Sequence, residues 1–160
     1  MKKLYLVRHA DAESPHFGGS DFNRKLTAFG ENKATSLGLL LKNRYIDPDL
    51  IVSSDALRAK QTAHILAETL NYKKQIVQEN KIYMGGEQQL NDFLMMLDPD
   101  IKSVVLVGHN PTLSAFAHTQ ALQASYSMQP AGVIGLTYSV HDWSEINSRD
   151  CSFLFYEWPK

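Results

Sequence analysis

Three places in the chain carry residues that could do chemistry together: Arg8-His9, Arg58, and His109-Asn110. Arg8 and His9 end the apolar run Leu4-Tyr5-Leu6-Val7, and cationic groups at the mouth of a buried strand cost solvation unless an anion faces them. A structural carboxylate could be that anion, and so could a ligand. His109 follows another apolar run, Ser103 to Gly108, and Arg58 lies just beyond a third, Leu50 to Ser54. Two arginines and two histidines at three strand ends suit a doubly charged oxyanion, most simply a phosphoryl group, because guanidinium forks match its oxygens. Structural ion pairing remains the alternative at any one strand end. It accounts less well for three.

Phosphoryl transfer needs positioning, charge neutralisation and a nucleophile. The chain has neither a P-loop nor a C-x5-R loop, and its one cysteine, Cys151, lies in an expected strand and reads as a structural thiol. An imidazole can serve instead if one ring nitrogen is neutral and the other is held by a hydrogen bond. His9, on a rigid strand end, is the expected nucleophile. His109 is the expected donor to the phosphoryl oxygens, and Arg8 and Arg58 neutralise their charge. Asn110, and Arg24 in a long loop, are candidate substrate contacts. His16, His64, His118 and His141 lack companions at metal-ligand spacing and read as surface or satisfied core residues, so no metal or other cofactor is expected.

The elements that must position these groups are legible from periodicity. Leu4–Val7, Leu50–Ser54 and Ser103–Gly108 are apolar without alternation, the pattern of parallel strands covered on both faces. Ile76–Gln78 is a weaker strand candidate, and the runs 132–140 and 151–158 predict two more strands joined by the polar stretch 141–150. Helical stripes lie between: Ala34, Leu37, Leu41 and Tyr45 after a Thr27 N-cap; Ala59, Ala63, Leu66 and Leu70 after an Asp55 N-cap; Leu90, Phe93, Leu94 and Leu97; and a last helix starting at Pro111. Met95 and Met96 read as gap filler at the core and its rim. The alternation predicts an α/β/α sandwich with a mainly parallel sheet, whose carboxyl edge is where such folds bind ligands. Loop 13–25 is long for a strand-to-helix connection, as functional loops tend to be.

With 160 residues, 44% of them hydrophobic, the chain predicts a single domain spanning 1–160. Sixteen basic and 17 acidic residues give a net charge of −1, so no basic stripe suggests nucleic acid or a membrane surface. A single cysteine fits a reducing cytoplasm. The opening MKKLYLVRH is too short in its apolar part for a secretory signal, and no span suits a membrane helix. A soluble, cytoplasmic monomer is expected.

VRHA at 7–10, SSDALRAKQT at 53–62 and VGHNP at 107–111, taken together and in order, resemble the histidine phosphatase superfamily, the phosphoglycerate mutase-like fold. The short length and the segment DFNRKLTAFGENKA at 21–34, similar to a D-F-x-R-x-L-T-x-x-G signature, point to its small SixA-type phosphohistidine phosphatases. The resemblance covers residues 3 to about 120. It implies that His9 is the phosphorylated nucleophile, with Arg8, Arg58 and His109 completing a metal-free phosphate pocket. Ala10 stands where the family's commonest opening has glycine, which is tolerated unless the position needs positive φ. Larger members protonate the leaving group with a glutamate; Glu79, Glu87 and Asp11 are the candidates here. A phosphorylated imidazole leaves with little help, so a weakly defined acid fits a phosphohistidine substrate. The expected function is therefore a phosphohistidine phosphatase acting on a phosphorylated protein. A phosphomonoesterase acting on a small phosphate ester is the alternative within the family. A non-catalytic phosphoprotein-binding module would need only the arginines.

Overall fold

The N-terminal apolar run becomes β1 (Lys2–Arg8), which lies inside a six-stranded sheet with β2 (Leu50–Ser53), β3 (Val77–Gln78), β4 (Ser103–Gly108), β5 (Val133–Tyr138) and β6 (Cys151–Glu157). A computed structural model describes residues 1–15 and 18–160; the reading of His16 falls outside the described residues. The strand order is β3-β2-β4-β1-β5-β6. β1, β2, β3 and β4 run parallel, and β5 and β6 are added antiparallel at one side. The carboxyl ends of β1, β2 and β4 therefore share one edge.

Successive residues of the central strands feed two separate cores. Leu4 and Leu6 of β1, Val52 of β2, and Val104 and Leu106 of β4 face one side, while Tyr5, Val7, Ile51, Val105 and Val107 face the other. Burial on both faces is why these strands show no polar alternation. The first core is covered by α4 (Glu87–Met95), α5 (Thr112–Gln120) and the fully buried Trp143; the second by α1 (Ala28–Asn43) and α2 (Leu57–Thr69). The result is the expected three-layer α/β/α arrangement with a mainly parallel sheet. Among the described residues no helix is long and apolar enough to cross a membrane.

Thr27 caps α1 by accepting from the Gly30 N–H at 2.9 Å, and Ala34, Leu37 and Leu41 are fully buried. Each buried leucine there stabilises the fold by roughly 1.5–3 kcal/mol. Tyr45 does not continue the stripe. α1 stops at Asn43, and Tyr45 turns into the left-handed region with φ 58°, leaving the residue 94% exposed. Asp55 does not cap α2 either. Ala56 holds the cap position, Ser54 Oγ accepts the Ala56 N–H at 3.1 Å, and Asp55 instead accepts from Asn80 at 3.0 Å. Pro111 precedes α5 as its cap residue, not as its first helical position.

The segment 80–84 contains an unforeseen element, α3 (Asn80–Met84), too short to register as a helical period. Short 3-10 turns at Asp21–Asn23, Trp143–Glu145 and Ser148–Asp150 were equally invisible to periodicity. On α4, Leu90 and Leu94 are buried and Phe93, Met95 and Leu97 half-buried, whereas Met96 is exposed.

Candidate active site

The backbone under Arg8 and His9 is fastened on both sides. His9 N–H donates to the Gly108 carbonyl at 3.1 Å and Arg8 N–H to the Gly132 carbonyl at 3.0 Å. Ala131 N–H is shared between the Arg8 and His9 carbonyls at 3.1 and 3.2 Å. Ala10 is fully buried and not among the residues of positive φ, so a methyl group is accommodated where glycine is commonest.

The His9 ring is oriented by two contacts. Nδ1 lies 2.8 Å from the Ala10 carbonyl, which can only accept, so Nδ1 carries the proton. Nε2 then carries the ring's lone pair, which accepts Arg58 Nε–H at 3.3 Å. Burial, reinforced by Arg58, Arg8 and Arg24 and opposed by the Ala10 carbonyl, pushes the His9 pKa from 6.5 down to about 4. The imidazole is neutral at physiological pH, with its lone pair on the face shared with Arg58.

His109 lies beside it, the ring centroids 5.2 Å apart. Its Nε2 is 2.7 Å from Ser54 Oγ, and its Nδ1 is buried without a partner. Burial foremost, then the proximity of His9 and Arg58, brings its pKa down to about 3, against a small opposing pull from Asp21. Arg8 donates from Nη1 to the Met128 carbonyl at 2.7 Å, and its buried Nε has no partner. Asn110 does not stand apart from Arg8: its Nδ2–H donates to the same Met128 carbonyl at 3.3 Å, and its Oδ1 receives the Ser114 hydroxyl at 2.9 Å. Two buried nitrogens in this cationic pocket, Arg8 Nε and His109 Nδ1, are unpartnered; Arg8 Nε–H is a donor that an oxyanion could satisfy, and His109 Nδ1 is another when the Ser54 hydroxyl donates to its Nε2.

Asp21 is the pocket's carboxylate. Arg24 Nη1 reaches its Oδ1 at 2.8 Å, Arg58 Nη2 its Oδ2 at 3.0 Å, and the Tyr83 hydroxyl the same Oδ2 at 2.8 Å. Arg58 Nη1 adds a bond to the Asp21 backbone carbonyl at 2.8 Å. The Arg24 hydrogen bond above all holds the Asp21 carboxyl far below the usual carboxylate range, despite partial burial that opposes it. Arg24 is thus tied to Arg58 through a shared carboxylate, and its Nε is fixed by the Glu13 carbonyl at 2.7 Å.

The three acid candidates fare differently. Glu79 caps α3 through the Lys81 N–H at 3.1 Å, and Glu87 receives the Thr119 hydroxyl at 2.9 Å, so both carboxylates are engaged with partners other than the two histidines. Asp11 follows His9 closely, and its backbone carbonyl receives the Thr27 N–H at 3.0 Å. His64, His118 and His141 are exposed. Cys151 sits on β6, where burial pushes its thiol up to about 11, a structural rather than nucleophilic group. Among the described residues no group of three or more His, Cys, Asp or Glu could hold a metal ion.

Sequence reasoning assigned no role to Ser54, Asp21, Tyr83 or the Met128 carbonyl. Ser54 and Asp21 stand inside the motif segments, so their positions offered a signal. Tyr83 offered none, and a backbone carbonyl cannot be read from residue type.

Residues 4–82 match the model of the histidine phosphatase superfamily, branch 1. The chain is 33% identical over 143 residues, 84% of each chain, to an uncharacterized protein of Picosynechococcus sp.. It is similar to the protein histidine phosphatase SixA solved with tungstate, with a TM-score of 0.84 and 19% identity over 98% of this chain and 96% of that one. The Agrobacterium tumefaciens protein assigned as a phosphohistidine phosphatase SixA has a TM-score of 0.82 and 26% identity over 99% of each chain. With the segments 7–10 and 53–62 inside the matched residues, the chain belongs to the histidine phosphatase superfamily.

Proposed function

We propose that the protein is a phosphohistidine phosphatase that removes the phosphoryl group from a histidine of a phosphoprotein, without a metal, through a covalent intermediate on His9. The observation that carries this reading is the ring geometry of His9: Nδ1–H held by the Ala10 carbonyl and an unprotonated Nε2 that accepts Arg58 Nε–H. Nε2 gives up the Arg58 hydrogen bond and attacks phosphorus while the bond to the substrate imidazole breaks. The substrate imidazole, protonated from solvent on its other ring nitrogen, departs neutral. Water then attacks the phosphorus on His9, the bond from phosphorus to Nε2 breaks, orthophosphate leaves with the water's protons, and Nε2 regains its lone pair.

Arg8 and Arg58 neutralise the phosphoryl oxygens in both steps. If the Ser54 hydroxyl donates to Nε2 of His109, its Nδ1–H is left as a further donor to those oxygens. The engagement of Glu79 and Glu87 elsewhere supports a substrate whose leaving group needs little acid help. The single cysteine supports a reducing cytoplasm.

The test is a rapid, acid-free quench with a phosphohistidine protein, followed by mass spectrometry. Phosphate is expected on His9, and His9→Ala is expected to lose turnover. Activity should survive exhaustive chelation. kcat/KM should be far higher for phosphohistidine and aryl phosphates than for sugar phosphates. Efficient sugar-phosphate hydrolysis abolished by Glu79→Gln, Glu87→Gln or Asp11→Asn would instead assign a small-ester phosphomonoesterase.

A further inference from the structure

α3 is fastened to the same sheet edge as the histidines. Its cap residue Glu79 donates its N–H to the Ser53 carbonyl at 2.9 Å. Ile82 packs so closely on Gly108 that a Cβ there would lie 2.9 Å from Ile82 Cγ2. Docking Ile82 beside Gly108 delivers the next residue, Tyr83, against the residue after Gly108. The Tyr83 ring meets His109 edge-on at 5.5 Å and Phe22 edge-on at 5.3 Å. Its hydroxyl donates to Asp21 Oδ2, the oxygen that also receives Arg58 Nη2.

We infer that Tyr83 is a positioning residue of the phosphate pocket, acting on Arg58 through the Asp21 carboxylate. The inference rests on the reading of that pocket as a phosphoryl site. Asp21 divides its charge among Arg24, Arg58 and Tyr83, drawn from the 3-10 turn region, α2 and α3. The same hydrogen bond raises the Tyr83 pKa, so the hydroxyl keeps its proton and remains a donor. Removing that donor leaves Oδ2 to Arg58 alone. The carboxylate then pairs more tightly with the guanidinium and competes with an incoming anion for it, and Asp21 loses one of the three contacts that set its place. Both effects weaken anion binding.

The experiment compares Tyr83→Phe, Asp21→Asn and the double variant, using calorimetric titration with orthophosphate and steady-state kinetics on an aryl phosphate. Tyr83→Phe, which keeps the ring, is expected to raise the orthophosphate Kd and lower kcat/KM, each about three- to tenfold, the scale of part of one hydrogen bond to a charged group. In the Asp21→Asn background the same change should have less than about a twofold effect, because contacting residues in one network are not additive. A merely structural tyrosine would not show that coupling. Unchanged binding in Tyr83→Phe, or equal losses in both backgrounds, would overturn the role of Tyr83 alone. Wild-type protein that fails to bind orthophosphate would overturn the pocket reading itself, and this inference with it.

Discussion

Arg58 donates its Nε–H to Nε2 of His9 at 3.3 Å while its two terminal nitrogens are held by the backbone carbonyl and the carboxylate of Asp21, so one guanidinium both occupies the lone pair of His9 and is aimed by a neighbouring residue. A lysine is a point charge and cannot reproduce a three-way fork of this kind. Arg58→Lys should lower kcat/KM on any phosphate substrate by about 10²-fold, the scale of losing a preorganised oxyanion donor. Steady-state kinetics against wild type checks this; a change below tenfold would show that charge alone suffices.

The two histidines predict an unusual pH response. Their folded pKa values, about 4 for His9 and about 3 for His109, lie below the ordinary 6.5, so kcat/KM should hold through pH 6 and fall near pH 4. For stability the unfolded chain binds more protons than the folded one between about 6.5 and 4, so stability is full above that window and declines as pH drops through it. Asp21 acts in the other range, its contribution fading only below its ordinary 3.8. Urea titrations at pH 7.5, 6.0 and 5.0 should show a falling midpoint; a flat series would contradict the buried neutral imidazoles.

Ser54 is fully buried and serves two partners, His109 Nε2 and the Ala56 N–H. Ser54→Ala should reduce stability by about 1–3 kcal/mol through the unpaired amide and imidazole. It should also lower kcat/KM about tenfold, as loss of a tautomer-fixing partner does at metal-bound histidines. Denaturant unfolding and kinetics on the same sample separate the two effects.

Gly30 tests how α1 is seated. A Cβ there would stand 2.0 Å from the Asp11 carbonyl oxygen, a backbone atom that cannot swing aside. Alanine in an open helix position stabilises by about 1 kcal/mol relative to glycine. Gly30→Ala should instead destabilise by about 1–3 kcal/mol through overpacking. The sign of the shift in urea midpoint decides the matter.

The parts of the molecule governed by long-range periodicity were legible in the sequence. Unbroken apolar runs announced β1, β2 and β4, and strand ends alone brought Arg8, His9, Arg58 and His109 to one edge. What escaped was set by contacts shorter than a helical period. α3 has five residues and one buried side chain, Ile82, which leaves no stripe to read. Tyr45 sits one turn beyond Leu41 in spacing, but the helix had already ended, and spacing carries no record of where a backbone turns left-handed. Asp55 has the chemistry of a cap, yet the helix starts a residue later and Ser54 takes the amide. Asp21 was visible as part of a motif, but its partnership with Tyr83 joins segments 62 residues apart.

The fastening of β1 on both sides sets the order in which the molecule breathes. The amides of Arg8 and His9 donate into neighbouring strands and turns of a central strand, so their hydrogen exchange requires disruption of the sheet itself. α3, by contrast, has five residues and one buried side chain, is held otherwise by the Glu79 N–H and the Tyr83 hydroxyl, and can open locally at lower free energy. His9 therefore belongs to the slowest-exchanging layer of the protein, and Tyr83, which packs on the neighbouring His109, to a fast one. A ligand entering the pocket should slow exchange in α3 first and leave β1 unchanged, since its amides are already protected.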